Sequence, residues 1–375
     1  MKCKLADIAE FNPKETIKKG TVAKKIAMDK LRPFCRDIPE YELAPFTGGA
    51  KFRNGDTIMA RITPCLENGK TAKVNVLETG EVGFGSTEFL VFRANKNITD
   101  EDYLYYLVCS PIVRDIAIKS MIGSSGRQRV QTDVVQNIEI DLPSLGNQKR
   151  IGKLLRSLDD KIELNNKINA NLERQAQAVF TAWFAEAKPS VSFVSLVRVL
   201  GGGTPRTSVA EFWEGEIPFF TPKDVYGVYT LETEKSLTDD GLAHCNSCLF
   251  PTNTVFVTAR GTVGKLTLAG RPMAMNQSCY ALLGQEGYGQ YFVYHLAQRV
   301  ITHLKHKANG AVFDAIVTRD FESEFVPDIK PSEAANFELK VKPLYEAILH
   351  NYEENCRLSA LRDMLLPRLI SNNLL

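Results

Sequence analysis

Two long stretches of the chain carry apolar positions at strict four-and-three spacing. In the first, Ile151, Leu155, Leu158, Ile162, Asn165, Asn169, Leu172, Ala176, Val179 and Trp183 form one line, the seam of a coiled-coil helix. Adding 186 to each gives Phe337, Val341, Leu344, Ile348, Asn351, Asn355, Leu358, Arg362, Leu365 and Leu369, so the second seam repeats the first and the Asn positions coincide. A helix that cannot bury its own stripe needs a partner, and the chain supplies one in its other copy. The pattern predicts two long helices that pair as an antiparallel coiled coil. A buried Asn is best satisfied by another Asn, so Asn165 is expected to face Asn355 and Asn169 to face Asn351, fixing register. The alternative places these Asn at the solvated edge of a segment that also holds Asn166 and Asn171. Pro343 removes a backbone donor and predicts a kink or a late start in the second helix.

Each seam follows a segment of similar order. Residues 1–143 and 188–331 are read as two globular heads, with 144–187 and 332–375 as the central and distal spacer helices. The first head shows short β-like runs (57–60, 89–92) between Asn54-Gly55 and Asn68-Gly69 turns, a helix over 100–120, a Gly/Ser-containing basic loop at 123–129 and a short strand near 138–142. In the second head, Leu196-Val197-Arg198-Val199 stands where Leu5-Ala6-Asp7-Ile8 stood, and Thr258-Ala259-Arg260 where Met59-Ala60-Arg61 stood. A helix over 290–305 matches the earlier one. The fold class expected is α+β: two globular α/β domains separated by the paired helices, with a pseudo-two-fold internal repeat. The loops between landmarks differ, as they would if each head reads something different.

Composition narrows the field. Two heads of roughly 140 residues can each bury a core. With 46 basic against 44 acidic residues, the net charge is only +2, so any nucleic-acid surface must arise from local clustering. The 8 cysteines are scattered, and with no signal peptide and no apolar run near the ~18 residues a membrane span needs, a reducing cytoplasm is expected.

Catalytic patterns are missing from the sequence. It has no Walker loop, no strand-bound G-x-G-x-x-G, no H-E-x-x-H and no G-x-S-x-G. Phe11-Asn12-Pro13-Lys14 lacks the second proline and aromatic of the motif with which amino-methyltransferases hold a flipped base, and Glu67-Asn68-Gly69-Lys70 has one residue too many for a nuclease E-x-K. Cys245-x-x-Cys248 beside His244 lacks the second pair that a structural zinc requires. No metal site is expected.

Binding chemistry is better represented. In the first head, Arg53, Arg61, Thr63, Asn68, Lys70, Ser86 and Thr87 lie around turns, and Ser124, Ser125, Arg127, Gln128, Arg129 and Gln131 occupy the basic loop. The second head offers Thr204, Lys223, Arg260, Thr262, Lys265, Asn276, Gln277, Asn309 and Arg319. Arg pairs with guanine and Asn or Gln with adenine in the major groove, while Lys, Ser and Thr mostly hold phosphates. Any one of these is equally an ordinary solvated loop residue; their concentration in two equivalent places raises the DNA-binding reading.

Across its whole length the chain resembles the specificity subunit of type I restriction-modification systems. The residues that carry the resemblance are 52–57, 60–70, 83–89, Gly126-Arg127-Gln128-Arg129-Val130 and 157–165 in the first half, with Gly202-Gly203-Thr204-Pro205, 217–224 and 361–369 in the second. Two departures are Leu145-Gly146-Asn147-Gln148, where the family often has Leu-Glu-Glu-Gln, and Pro327-Asp328-Ile329-Lys330-Pro331 in place of a proline-rich run. The resemblance implies a non-catalytic subunit whose heads are target recognition domains, each reading half of a bipartite asymmetric site in double-stranded DNA. It implies that the helices set the unspecified spacer; ~30 to 35 residues would span roughly 50 Å, more than one DNA turn of about 34 Å. Partners implied are two modification subunits, which methylate adenine, and two restriction subunits. S-adenosylmethionine, ATP and Mg would belong to those partners, and this chain would bind no cofactor. Three competitors are a solitary DNA-binding regulator, a lone nuclease or methyltransferase, and a coiled-coil scaffold whose heads bind protein. Copurification with a methyltransferase, S-adenosylmethionine binding and salt-dependent DNA binding distinguish them.

Overall fold

A computed structural model describes residues 1–124, 126–184, 186–307 and 315–371. The chain divides into two compact units, Met1–Leu164 with Asn355–Leu375, and Asn165–Glu354. Both long helices are present, over Leu145–Phe184 and Pro331–Ile370. Each contributes its N-terminal half to the unit of the head that precedes it and its C-terminal half to the other unit. The second helix runs without interruption through Pro343 and starts at Pro331, so neither a late start nor a break follows from that proline. Pro331 itself is suited to a helix start, where its missing N–H would have no partner anyway.

In the first unit an antiparallel sheet has the order Ala9–Phe11, Phe89–Ala94, Thr57–Ala60, Thr71–Lys73. A second sheet orders Glu42–Pro45, Val22–Ile26, Gly83–Gly85, Lys51–Phe52, with Val22–Ile26 and Gly83–Gly85 parallel. The N-terminal strand Lys2–Lys4 pairs with Glu139–Asp141 beside the start of the first long helix. The expected helix over 100–120 is two helices, Glu101–Cys109 and Pro111–Lys119. Pro111 disfavours helical backbone at Ser110, which sits at ψ 157° and ends the first helix. Ile151 and Leu155 share this unit's core with Leu366, Leu369 and Ile370.

The second unit repeats the plan. Its sheets order Val197–Gly201, Cys279–Gly284, Val255–Thr258, Leu266–Ala269, Tyr229–Thr230, and Lys235–Leu237, Trp213–Phe220, Ala274–Met275. Pro189–Ser192 pairs with Phe325–Pro327, and the predicted head helix spans Gln290–Lys307. The N-terminal correspondence differs from the sequence expectation: the short helix Phe193–Leu196, not Leu196 to Val199, stands where Leu5–Ile8 stands, each followed by a strand of the main sheet.

The two long helices pair antiparallel. In the second unit Asn165 donates to Glu354 Oε2 (2.7 Å), Asn351 donates to Asn169 Oδ1 (2.7 Å), and Phe180 meets Phe337 edge-on at 5.5 Å. Partner numbers fall as residue numbers rise. In the first unit Asp159 takes a hydrogen bond from Arg362 (2.8 Å) with the same sense. Asn355 belongs to the first unit. The seam drifts at its end: Trp183 is 47% exposed, whereas Phe180 and Phe184 are buried. A straight helix turns every 3.6 residues, so an unsupercoiled stretch leaves the 3.5-residue line, and here the head helix covers the shifted face.

Candidate nucleic-acid interface

Both units build the same junction at one end of the main sheet. The strand Thr57–Ala60 ends at Arg61, whose N–H donates to Glu88 O (2.9 Å) and whose carbonyl accepts from Val130 N–H (2.9 Å). In the second unit the strand Val255–Thr258 ends at Ala259, whose N–H donates to Ser278 O (2.8 Å) and whose carbonyl accepts from Ile316 N–H (2.9 Å). One residue thus gathers three loops: the hairpin after it, the turn before the strand of Phe89 or Cys279, and the segment beyond the head helix. These bonds equate Arg61 with Ala259 rather than with Arg260, a shift of one residue from the sequence alignment. Because strand side chains alternate, Arg61 is half-buried while Arg260 is exposed.

The turns that feed the junction are also equivalent. Ser86 Oγ accepts from Glu88 N–H (3.1 Å), and Asn276 Oδ1 accepts from Ser278 N–H (3.0 Å). Each side chain closes a turn on the backbone two residues ahead. This leaves Thr87 and Gln277, the central residues, exposed at the same place. Gln277 Oε1 accepts from the Thr204 hydroxyl, and Thr262 Oγ1 donates to Pro222 O (3.4 Å), so segments around 204, 222, 262 and 277 adjoin one another.

In the first unit the cations are differently committed. Arg129 lies on Glu88 (2.7 Å and 3.0 Å), holding that carboxyl below its ordinary range, and Arg61 Nε is 3.6 Å from the same group. Arg53 forks onto Glu15 (2.6 and 2.8 Å), which Arg93 also contacts, and Glu15 is likewise held low. Lys70 donates to Met28 O (2.9 Å), Gln131 to Ser120 O (2.8 Å), and Thr63 Oγ1 to Met121 Sδ (3.6 Å). Arg127, by contrast, is exposed and has no side-chain partner among the described residues. Its loop is closed on the junction by Thr63 N–H to Gln128 O (3.0 Å) and Arg127 N–H to Ser124 O (3.0 Å). Asn68 and Ser124 are exposed. In the second unit Arg260, Lys265 and Arg319 are exposed, and Lys223, 77% exposed, is within 3.4 Å of Glu234. Ser125 and Asn309 lie outside the described residues.

Sequence reasoning missed the acids Glu15 and Glu88, each far in sequence from the arginine it neutralises. It also set Asn12 and Lys14 aside with an incomplete methyltransferase motif, yet both line a cleft of ≈ 440 Å³ together with Lys51, Arg61 and Thr87. Asn12 adopts φ 49° and accepts from Val91 N–H (3.0 Å), which turns the chain into this cleft. Among the described residues no group of three or more His, Cys, Asp or Glu is placed to hold a metal ion. His244 stacks on Phe212 at 4.9 Å and faces Asp240.

Comparison with known proteins agrees with this duplicated plan. The chain is 25% identical over 86% of its length, and 87% of the relative's, to the type I restriction enzyme HindI specificity subunit of Haemophilus influenzae. It is 32% identical to the EcoAI specificity subunit of Escherichia coli over 46% of this chain and 30% of that one. The crystal structure of the type I restriction-modification system S subunit from M. genitalium shares the fold with TM-score 0.57 at 12% identity, over 99% of this chain and 96% of that one. The family model for the type I restriction modification DNA specificity domain matches residues 1–174 and 192–327. Two copies of one domain, covering most of the sequence and both sheet-end junctions, place the chain in the type I restriction-modification DNA specificity family.

Proposed function

We propose that the chain is the DNA sequence-recognition subunit of a type I restriction-modification complex, and that it performs no chemistry itself. Residues 1–143 and 188–331 act as target recognition domains, each reading one half of a bipartite asymmetric site in double-stranded DNA. The helices 144–187 and 332–375 set the unspecified spacer. The observation that carries this reading is the repeated loop junction: its backbone hydrogen bonds are the same in both units, while the side chains at matching places differ, Arg61 and Thr87 in one against Ala259 and Gln277 in the other, and each unit adds exposed arginines of its own, Arg127 in the first and Arg260 and Arg319 in the second. A common scaffold with divergent polar tips suits two half-sites of different sequence.

The subunit works in the cytoplasm with two modification subunits, which use S-adenosylmethionine to methylate adenine, and two restriction subunits, which use ATP and Mg. Its own role is to choose the site. Among the described residues no helix is long and apolar enough to cross a membrane. The experiment is single-molecule mapping of methylated adenines in a host expressing the chain with a modification subunit. One bipartite motif with two unlike halves is expected, and inserting a heptad in a long helix should lengthen its spacer. Absence of any new methylated motif overturns the assignment.

A further inference from the structure

Two arginines of the first unit fork onto carboxylates, and they differ in what the fork leaves over. Arg53 gives Nε and Nη2 to Glu15 (2.6 and 2.8 Å) and its remaining nitrogen, Nη1, to Gly80 O (2.8 Å), so every nitrogen of that guanidinium closes the fold on itself. Arg129 gives Nε to both oxygens of Glu88 (3.0 Å each) and Nη2 to Oε1 (2.7 Å), and its Nη1 has no partner among the described residues. The charge of Arg129 is therefore spent on Glu88, whereas the Nη1–Nη2 end of the fork still carries donors, on a side chain that is 47% exposed.

Backbone bonds fix both members of this pair. Arg129 N–H donates to Ile122 O (2.9 Å) and its carbonyl accepts from Ile122 N–H (3.0 Å), while its neighbours bond the hairpin, Thr63 N–H to Gln128 O (3.0 Å) and Val130 N–H to Arg61 O (2.9 Å). Glu88 N–H donates to Ser86 Oγ (3.1 Å), and its carbonyl accepts from Arg61 N–H (2.9 Å). A guanidinium held in this way loses little freedom on meeting a ligand. The second unit makes the same backbone bonds without the pair. Ser278, whose carbonyl accepts from Ala259 N–H, stands in place of the acid, and Ala315, which bridges Arg260 as Arg129 bridges Ile62, stands in place of the cation. Acid and base are present together or absent together. An ion pair this exposed adds little to folding stability, so the role left to it is orientation.

Resting on the reading that the first head recognises duplex DNA, we propose that Arg129 reads a guanine of the first half-site from the major groove, and that Glu88 is its positioning residue. Guanine presents O6 and N7 as neighbouring acceptors, which the Nη1–Nη2 end of a guanidinium matches with two parallel donors. Adenine replaces one of those acceptors with a donor, so the fork loses a bond there. Glu88 grips the Nε–Nη2 edge, which aims the free end, and its negative charge keeps the pair from settling on any phosphate it meets. The second head, with Ala315 and Ser278, has no such reader at this place.

The test uses the full chain with a modification subunit and duplexes carrying the motif that the complex methylates. Exchanging one G·C pair of one half-site for A·T should weaken binding roughly 5- to 150-fold. Substituting 7-deazaguanine, which lacks N7, should weaken it at the same pair. In Arg129→Ala and Arg129→Lys both penalties should vanish at that pair and persist at every other, since Lys keeps the charge but not the fork. Glu88→Gln should shrink the penalty at that pair while binding to a duplex of unrelated sequence stays level or rises, whereas a disturbed fold would weaken every duplex. The effects of Glu88→Gln and Arg129→Ala should not add. A penalty that survives Arg129→Lys, or one that Glu88→Gln leaves unchanged, overturns the pair as a guanine reader. So does an unsubstituted complex with no guanine sensitive to loss of N7, an outcome that needs no variant to fold. An unsubstituted complex that methylates no motif and prefers no duplex overturns the recognition reading, and the guanine reader with it.

Discussion

Replacing His295 should flatten the acid sensitivity of the second unit. The imidazole is 1% exposed, stacked on Phe180 at 5.2 Å and edge-on to Phe337 at 5.5 Å. Gln177 Oε1 can only accept, so Nδ1 donates to it (2.9 Å), and Nε2 is left to accept from the Tyr345 hydroxyl (2.8 Å). The neutral ring thus satisfies both nitrogens and ties the head helix to both long helices. Burial disfavours the cation and pushes the pKa down to about 4 from 6.5, with Gln298 acting weakly the other way.

The unfolded chain therefore binds this proton near pH 6.5 and the folded chain only near pH 4. The stability linked to His295 is complete above pH 6.5 and is lost as pH falls through that window. At about 1.4 kcal/mol per pH unit the loss is about 3 kcal/mol. Glu173 and Glu338, both half-buried, have pKa values raised by desolvation that oppose the trend in the same unit, so the comparison must be differential. Both tryptophans, Trp183 and Trp213, belong to the second unit, so their fluorescence in urea follows that unit. Between pH 7.5 and 4.5, His295→Gln should lose about 3 kcal/mol less than the unsubstituted chain. A difference under about 1 kcal/mol would refute the assignment of a neutral, desolvated ring.

Three other outcomes are expected. In the first unit Asp100 caps the head helix from its own N-cap, accepting from Asp102 and Tyr103 N–H, while Gly152 leaves it room; in the second, Gly289 replaces the cap and Glu338 of the long helix accepts from Tyr291 and Phe292 N–H. Glu338→Ala should cost about 1 to 2 kcal/mol, and Gly289→Asp should destabilise alone but recover stability combined with Glu338→Gly; additive urea midpoints would contradict the exchange. Arg362→Met leaves Asp159 buried with only the Tyr106 hydroxyl (2.6 Å), a loss of about 3 to 5 kcal/mol that a companion Asp159→Asn should largely reverse in the same denaturation assay. Arg127→Ala should weaken recognition at one half-site only, measured by binding to duplexes altered in either half; equal loss at both would exclude it from base reading.

The long helices were legible because a seam of 4,3 spacing repeats itself regardless of what packs against it. The drift from Val179 and Trp183 to Phe180 and Phe184 was not, because it depends on where the head helix lies. Similarly, the single helix expected over 100–120 breaks at Pro111, where the backbone of Ser110 leaves the helix. At the candidate interface, residue type told which side chains have DNA-reading chemistry but not which are already spent. Arg53 and Arg129 look like Arg127 in sequence, yet their acids lie 38 and 41 residues away, and only folding brings them together. The one-residue error that aligned Arg61 with Arg260 has the same origin, since register is fixed by ladder bonds and not by the identity of a strand's last residue.

The two polar hubs explain how one chain keeps two similar halves distinct. Tyr106 and His295 occupy the same position of their head helices, and Asp159 and Tyr345 the same position of the long helices. In the first unit the hub is ionic, Tyr106 to Asp159 to Arg362; in the second it is neutral, His295 between Tyr345 and Gln177. Ala176 stands in the second unit where Arg362 stands in the first. A long helix placed in the wrong partnership would leave Asp159 facing Ala176, an unpaired buried charge, or set Arg362 beside a neutral histidine with only its neighbour Asp363 (2.9 Å) as a counter-charge. Each wrong pairing then forfeits several kcal/mol, comparable with the stability of a whole domain. The caps add a second discriminator, because Asp100 needs Gly152 and Gly289 needs Glu338. Shape is kept through the repeat while charge is not, so the two halves select each other over copies of themselves.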